Sequence, residues 1–173
     1  MGQAQAATYL CDIGGAQSIG ELGNSANQIF TQFAGANLQI TGISYNLTYT
    51  AFNPSWLSEG AFAVGSSDSS SRIEFTFANT DPNPGTGSYS CTLDIADFGM
   101  FTGSDGILRL EVYDDFDDFD GADGAYGEGS TLTVTTAGGV GAAPEPAAWA
   151  MMILGFGLAG YGLRRRSGRV AFA

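Results

Sequence analysis

Histidine and lysine are both absent from the 173 residues of this chain. Without histidine the sequence cannot supply a Ser-His or Cys-His catalytic pair or a histidine metal ligand. Without lysine it cannot form a Schiff base or provide the lysine of a phosphate-binding P-loop. Basic residues are scarce as well, since six arginines face 18 acidic residues and leave a net charge of −12. A chain of this sign is unsuited to nucleic acid, whose phosphates require a basic surface.

The apolar content is nevertheless sufficient for a folded core. Hydrophobic residues make up 44% of the chain and aromatic residues 12%, which separates it from a disordered acidic tail. The length corresponds to one domain.

Charge is distributed unevenly along the chain. Four of the six arginines lie in the last ten residues, whereas residues 1–143 hold two arginines and 17 acids, a net charge of −15 (2 − 17). The acidic body and the basic tail therefore call for separate interpretations.

The tail contains an uncharged run over residues 147–163 that ends at three consecutive arginines. Its length is at the lower limit for a transmembrane helix. Trp149 and Tyr161 lie near its two ends, where amphipathic rings favour the membrane interface. The run therefore predicts a single C-terminal transmembrane helix with a cytoplasmic arginine cluster, and the alternative is a buried helix of a soluble domain.

The motif around this run resembles the PEP-CTERM sorting signal. The resemblance is carried by Pro144, Glu145, Pro146 and Trp149, followed by a Gly-rich span and then by Arg164, Arg165 and Arg166. It implies an exported bacterial protein, anchored in the inner membrane by its tail until an exosortase-type enzyme processes it near residues 144–146. It also implies a final place at the cell surface or outside the cell, in association with exopolysaccharide or biofilm. A tail of this kind is also labelled an ice-binding protein C-terminal domain, which implies nothing about ice binding by the body.

The N-terminal residues fit the end of a secretion signal. Ala4-Gln5-Ala6 matches the small-x-small pattern that precedes a signal peptidase cut. The basic and apolar parts of a signal peptide do not precede it. We therefore interpret residues 1–6 as a remnant of the cleavage region and expect the start of the chain to be truncated.

The body predicts an all-β domain, because short segments alternate apolar and polar residues with a period of two. The clearest is 43–51, in which Ile43, Tyr45, Leu47, Tyr49 and Ala51 share one face. Others are expected near 72–77, 90–95, 108–113 and 131–135, with weaker ones at 9–13, 28–33 and 61–64. Turn-forming Gly, Ser, Asn, Asp and Pro separate them.

About eight such strands favour a two-sheet, jelly-roll-like β-sandwich. The expected organisation is a sandwich over 7–136, a Gly/Ala linker over 137–143, the sorting signal with its transmembrane helix over 144–166, and a cytoplasmic tail over 167–173.

The two cysteines, Cys11 and Cys91, form an even pair in a protein expected in an oxidising compartment. We predict a disulfide between them, and the alternative is two buried free thiols.

An acidic segment at 114–128 carries six aspartates and one glutamate. Crowded carboxylates repel one another, and Ca²⁺ favours such oxygen ligands. The segment predicts a calcium site outside the EF-hand pattern, and the alternative is a solvated acidic hairpin. Phe116 and Phe119 are expected to anchor it on the sandwich. The candidate ligands are Asp115, Asp117, Asp118, Asp120, Asp123 and Glu128.

Trp56 follows the clearest strand in a loop that also holds Asn53 and Pro54. A tryptophan in such a loop either stacks on a sugar ring or covers one end of the core.

Three functions remain open from the sequence. The first is a non-catalytic extracellular surface or matrix component associated with exopolysaccharide. The second is a calcium-dependent carbohydrate-binding module that uses the acidic segment and Trp56. The third is a small secreted hydrolase that uses paired Asp or Glu side chains.

Overall fold

A computed structural model of the chain describes residues 6–118 and 120–138. These residues form two β-sheets, contain no α-helix, and include two single-turn 3-10 helices, Leu57–Glu59 and Ala96–Phe98. The predicted all-β class is confirmed. The strands are β1 (Ala7–Asp12), β2 (Gln17–Ser18), β3 (Gln28–Phe33), β4 (Gln39–Ala51), β5 (Gly60–Ser66), β6 (Arg72–Thr76), β7 (Gly85–Asp94), β8 (Met100–Phe101), β9 (Ile107–Asp114), β10 (Gly124–Tyr126) and β11 (Thr131–Ala137).

The first sheet is organised around β4, the longest strand. Along one edge β4 pairs with β11 and then with β10, and along the other edge it pairs with β8 and then with β7. Strand β1 extends this sheet beyond β11, and β2 extends it beyond β10. All these pairings are antiparallel. The second sheet has the order β3-β9-β5-β6 and is also antiparallel.

The alternation predicted for β4 is observed. Ile43, Leu47, Tyr49 and Ala51 are buried, and Tyr45 packs its ring edge-on against Phe62 of β5 at 5.4 Å. The strand begins earlier than expected, at Gln39. A β-bulge opposite Thr135 and Thr136 shifts the register, so that Ile40 is buried as well as Ile43 despite their odd spacing.

The core lies between the two sheets and is rich in aromatic side chains. Phe62 of the second sheet, Tyr49 and Tyr126 of the first, and Phe77 form one connected group, with Tyr49 and Tyr126 5.1 Å apart between ring centroids. The phenol of Tyr126 is fully buried and donates to the carbonyl of Ala61 at 2.8 Å, across the two sheets. Contacts of this kind satisfy a buried polar group while the rings fill the core.

All eight segments predicted as strands are strands in the structure, although their ends differ by several residues. The total is eleven within the described residues, because sequence reasoning missed β2, β8 and β10. These three strands are two or three residues long, too short to display an alternating pattern. Strand β10 lies within the acidic segment and therefore holds part of it in the sheet.

The predicted transmembrane helix and sorting signal, the cytoplasmic tail and most of the linker lie outside the described residues. Within 6–118 and 120–138, no helix is long and apolar enough to cross a membrane. The sandwich belongs to the first of two units of the chain, Met1–Val140, and the second unit is Gly141–Ala173.

Candidate functional site

The pairing of β5 with β9 brings the Trp56 loop and the acidic segment together. Gly60, the first residue of β5, lies opposite Asp114, the last residue of β9. The chain before Gly60 and the chain after Asp114 therefore leave the second sheet side by side. The backbone N–H of Asp115 continues the contact by donating to the carbonyl oxygen of Glu59 at 2.8 Å.

The 3-10 turn Leu57–Glu59 fixes the position of Trp56. Leu57 is buried in the core, and its N–H donates to the carbonyl of Asn83 at 2.9 Å. The backbone N–H of Trp56 donates to the Glu59 carboxylate at 2.6 Å. Trp56 is 45% exposed, so part of its ring is available to a ligand.

A surface cleft of about 430 Å³ lies at this junction, lined by Pro54, Trp56, Glu59, Phe116 and Asp118. Phe116 is 59% exposed. The expectation that Phe116 anchors the acidic segment on the sandwich is therefore wrong, because its ring lies at the wall of the cleft. The other phenylalanine of that expectation, Phe119, lies outside the described residues. The cleft combines two exposed aromatic rings with two carboxylates.

Asp114 anchors the start of the acidic segment to the core. Its carboxylate has no solvent exposure and accepts hydrogen bonds from the hydroxyl of Tyr49 at 3.1 Å and from Ser18 at 3.4 Å. Burial, with smaller contributions from the negative charges of Asp123 and Glu59, raises the pKa of Asp114 to about 7, although hydrogen bonds from Phe116 and Tyr49 lower it. Because Tyr49 belongs to the first sheet and Asp114 to the second, this bond joins the two sheets directly beneath the acidic segment.

Asp123 anchors the other end of the segment. Its backbone N–H donates to Ser18 at 2.9 Å, and its carbonyl accepts from the N–H of Phe52 at 2.7 Å. The side chain is fully buried. The Ser55 hydroxyl donates to its Oδ1 at 2.9 Å, whereas Oδ2 has no hydrogen-bond partner among the described residues.

Two carboxylates in this region, those of Asp123 and Glu59, bind protons more tightly than an ordinary carboxylate. Burial raises the pKa of Asp123, and so do the charges of Asp117 and Asp118. Burial also raises the pKa of Glu59, with contributions from Asp118 and Asp123. Asp118 contributes to the raised pKa of Glu59 both through its charge and through a side-chain hydrogen bond. The cleft thus carries negative charge that is not fully compensated.

Neither arginine of the described residues is available to compensate this charge. Arg72 pairs with Glu74 at 2.8 Å, and Arg109 pairs with Glu111 at 2.6 Å. Glu111 is itself buried and also accepts hydrogen bonds from Asn27 and from the backbone of Gly23, which together lower its pKa in spite of burial. Both basic groups are therefore occupied in the second sheet.

The predicted calcium ligands are not all brought together. Asp118 lines the cleft, and the charges of Asp117 and Asp118 act on the buried Asp123, whereas the side chains of Asp115, Asp117 and Asp120 are exposed. Glu128 lies on the turn after β10, next to Gly14 and Gly15. Within 6–118 and 120–138, no three acidic or thiol side chains are placed to hold one metal ion. Calcium binding by this segment stays a prediction.

Sequence reasoning missed Glu59 and Asp114 as site residues. Glu59 precedes Asp115 by more than fifty positions, and only the long-range pairing of β5 with β9 places it beside the acidic segment. Asp114 lay within the acidic segment, but its anchoring role depends on contacts with Tyr49 and Ser18 that leave no local pattern.

The predicted disulfide is not formed in this structure, in which Cys11 and Cys91 are free thiols. Cys11 on β1 lies opposite Leu132, Leu132 lies opposite Tyr45, and Tyr45 lies opposite Cys91 on β7. The two cysteines thus occupy one row of the first sheet, three strand spacings or about 14–15 Å apart. A disulfide requires Cα atoms within about 7 Å, so the sheet itself prevents this bond.

The tail was compared with known protein families. Residues 142–166 match the PEP-CTERM protein-sorting motif. The predicted sorting residues Pro144, Glu145, Pro146 and Trp149 and the arginines at 164–166 all fall within this range, and the resemblance is confirmed. A PEP-CTERM motif marks an exported protein whose membrane-anchored precursor is processed by an exosortase-type enzyme. The match covers the tail alone, and the body is assigned to no family.

A weak similarity to a protein of known structure extends over most of the chain. No curated protein matches the chain. A chain from a solved structure of tomato aspermy virus is similar at 12% identity and a TM-score of 0.32, over 82% of this chain and 80% of that one. This similarity is too low to show a shared fold.

Proposed function

We propose that the body is a non-catalytic surface or extracellular-matrix component that binds polysaccharide in the cleft beside Trp56. The observation that carries this proposal is the meeting of Trp56 and Phe116 with Glu59 and Asp118 around one open space of about 430 Å³. Ligand sites are typically concave and combine apolar walls with a few polar groups that fix orientation.

The lining has the chemistry that sugar rings require. The apolar face of a pyranose stacks on an exposed aromatic ring, and Trp56 and Phe116 are 45% and 59% exposed. Carboxylates accept hydrogen bonds from sugar hydroxyls and are the stronger acceptors because they are charged. Glu59 and Asp118 place such acceptors beside the rings. Export by way of the sorting motif would bring this cleft to the compartment in which extracellular polysaccharide lies.

The spacing of the carboxylates favours binding over hydrolysis. Glycosidases hold their two carboxyl groups about 5–9.5 Å apart, with the scissile bond between them. Asp118 instead interacts with Glu59 closely enough to raise the pKa of Glu59 through a side-chain hydrogen bond, which implies a shorter separation than glycosidases use. This supports a non-catalytic role, although a secreted hydrolase remains the alternative that a substrate panel must test.

The proposal is tested by incubating the full-length protein with a panel of extracellular bacterial polysaccharides. We expect the protein to co-sediment with at least one of them and to leave its chain length unchanged. A protein that binds none of the polysaccharides would contradict the proposal. The release of shorter saccharides would instead support the hydrolase.

A calcium-dependent carbohydrate-binding module is a second candidate. The observation that favours it is the buried Asp123 Oδ2, which accepts no hydrogen bond among the described residues and lies close to the charges of Asp117 and Asp118. A cation in this position would relieve their mutual repulsion.

A further inference from the structure

We infer that the cleft selects a cationic glycan, one whose sugars carry protonated amino groups in place of some hydroxyl or acetamido groups. The inference rests on the proposed binding of polysaccharide and specifies the class of polysaccharide. It is carried by the pairing of two exposed aromatic rings with two carboxylates in a cleft that has no basic residue in its lining.

The charge around the cleft distinguishes between anionic, neutral and cationic polysaccharides. Glu59 and Asp118 line the open space, and the buried Asp123 adds a third carboxylate close enough to Asp118 for the charge of Asp118 to raise the pKa of Asp123. The two arginines of the described residues are engaged with Glu74 and Glu111. A glycan rich in uronic acids would therefore meet like charges with no counter-charge, and a neutral glycan would leave the repulsion unrelieved.

A protonated amine is complementary both to the carboxylates and to the aromatic rings of this site. Its three N–H donors match the carboxylate oxygens of Glu59 and Asp118, since an ammonium is a donor only. An ammonium is also attracted to the face of an aromatic ring, most strongly that of tryptophan. Trp56 is held beside Glu59 by the bond from its own backbone N–H to that carboxylate. The ring and the carboxylate therefore form a preorganised pair for a sugar that carries a cation.

The wider surface favours the same class of ligand. Residues 1–143 carry 17 acids and two arginines. The negative electrostatic field of these residues attracts polycations from solution and increases their rate of association at low salt. A flexible amine-bearing polymer would therefore be concentrated near the protein before its sugars enter the cleft.

The test compares three hexosamine-based oligosaccharides of equal length in calorimetric titrations of the full-length protein. One carries free amines, the second is fully N-acetylated, and the third carries carboxylates. At a pH at which the amines are protonated, we expect the amine form to bind at least about tenfold more tightly than the N-acetylated form, and the preference to shrink as salt is added.

Two variants test the role of the carboxylates, with one matched control. Glu59→Gln and Asp118→Asn keep the size of each side chain and are each expected to reduce the amine preference towards equality. Asp97→Asn removes an exposed acid from the turn Ala96–Phe98. This turn is hydrogen-bonded to Gln39 at the start of β4, whereas the Trp56 loop follows the other end of β4. This control is expected to leave the preference unchanged.

The outcomes separate the two proposals. Equal or tighter binding of the N-acetylated form would overturn the selection of cationic glycans and leave glycan binding standing. If the carboxylate-bearing oligosaccharide binds most tightly, and only with added Ca²⁺, the selection of cationic glycans is overturned in favour of a calcium bridge. No binding of any oligosaccharide or polysaccharide would overturn the proposed function itself. A preference that survives both cleft variants would place the amine site elsewhere and overturn the inference.

Discussion

The backbone N–H of Asp115 donates to the carbonyl oxygen of Glu59 at 2.8 Å, just beyond the paired residues Gly60 and Asp114. This bond joins two segments that are far apart in the sequence, the Trp56 turn and the acidic segment. The cleft forms because this hydrogen bond continues the β5–β9 pairing by one residue beyond the end of the two strands. The proposed glycan site depends on this junction.

The cysteines provide a direct check of the strand order. Because Cys11 and Cys91 are three strands apart in the first sheet, we expect both thiols to be free in the folded protein. Alkylation under denaturing, non-reducing conditions should add two labels, as measured by intact mass. A protein that takes no label and gains two protons in mass on reduction would contradict the order β1-β11-β4-β7.

Stability is expected to fall as the pH rises through the range in which Asp114 loses its proton. The folded-state pKa of Asp114 is raised to about 7 from an ordinary value of 3.8, so the folded protein binds more protons than the unfolded chain between these values. Its stabilising contribution is complete below about pH 4 and is lost as the pH rises through 7. The full shift corresponds to roughly 4 kcal/mol.

The variant Asp114→Asn isolates this contribution. Its carboxamide keeps a similar size and cannot ionise, so the decline in unfolding free energy between about pH 4 and pH 7 should become shallower. Chemical denaturation at a series of pH values measures this slope. The exposed Asp97→Asn should reproduce the slope of the unmodified protein, and an unchanged slope in Asp114→Asn would contradict the assignment.

The effect of calcium on thermal stability separates metal-free glycan binding from the calcium-dependent module. Within the described residues no three acidic side chains are placed to hold one ion. A site whose dissociation constant lies tenfold below the added Ca²⁺ would stabilise the fold by about 1.4 kcal/mol and raise the Tm by several degrees. Melting curves with Ca²⁺ and with a chelator measure this difference. A rise of that size that is lost in Asp118→Asn but kept in Asp97→Asn would instead establish the calcium-dependent module.

The sequence was most informative where local chemistry decides the structure. The alternation of Ile43, Leu47, Tyr49 and Ala51 predicted the central strand because one face of β4 lies on the core along its whole length. The sorting motif was predictable for a different reason, since its residues lie within 25 consecutive positions and are read as a linear motif. Both features depend on neighbours in the chain.

The candidate site was only partly predictable, because its parts come from distant positions. Trp56 and the acidic segment were recognised separately, but nothing in the sequence shows that Gly60 pairs with Asp114. The positions of Glu59 and Phe116 in the cleft lining depend on that pairing and could not be anticipated from the sequence. The disulfide prediction failed for the same reason, because an even number of cysteines carries no information about strand order.

Tryptophan fluorescence reports whether a glycan occupies the cleft beside Trp56. The chain has two tryptophans, Trp56 and Trp149, so the full-length variant Trp149→Phe reports on the cleft alone. During titration with an amine-bearing oligosaccharide, we expect the Trp56 emission to change in a saturable manner, with the same dissociation constant as calorimetry. Phe98→Ala, which removes an exposed ring from the turn Ala96–Phe98, should preserve both readouts, whereas Phe116→Ala should weaken binding. Calorimetric binding with an unchanged Trp56 spectrum would place the glycan elsewhere and contradict the account.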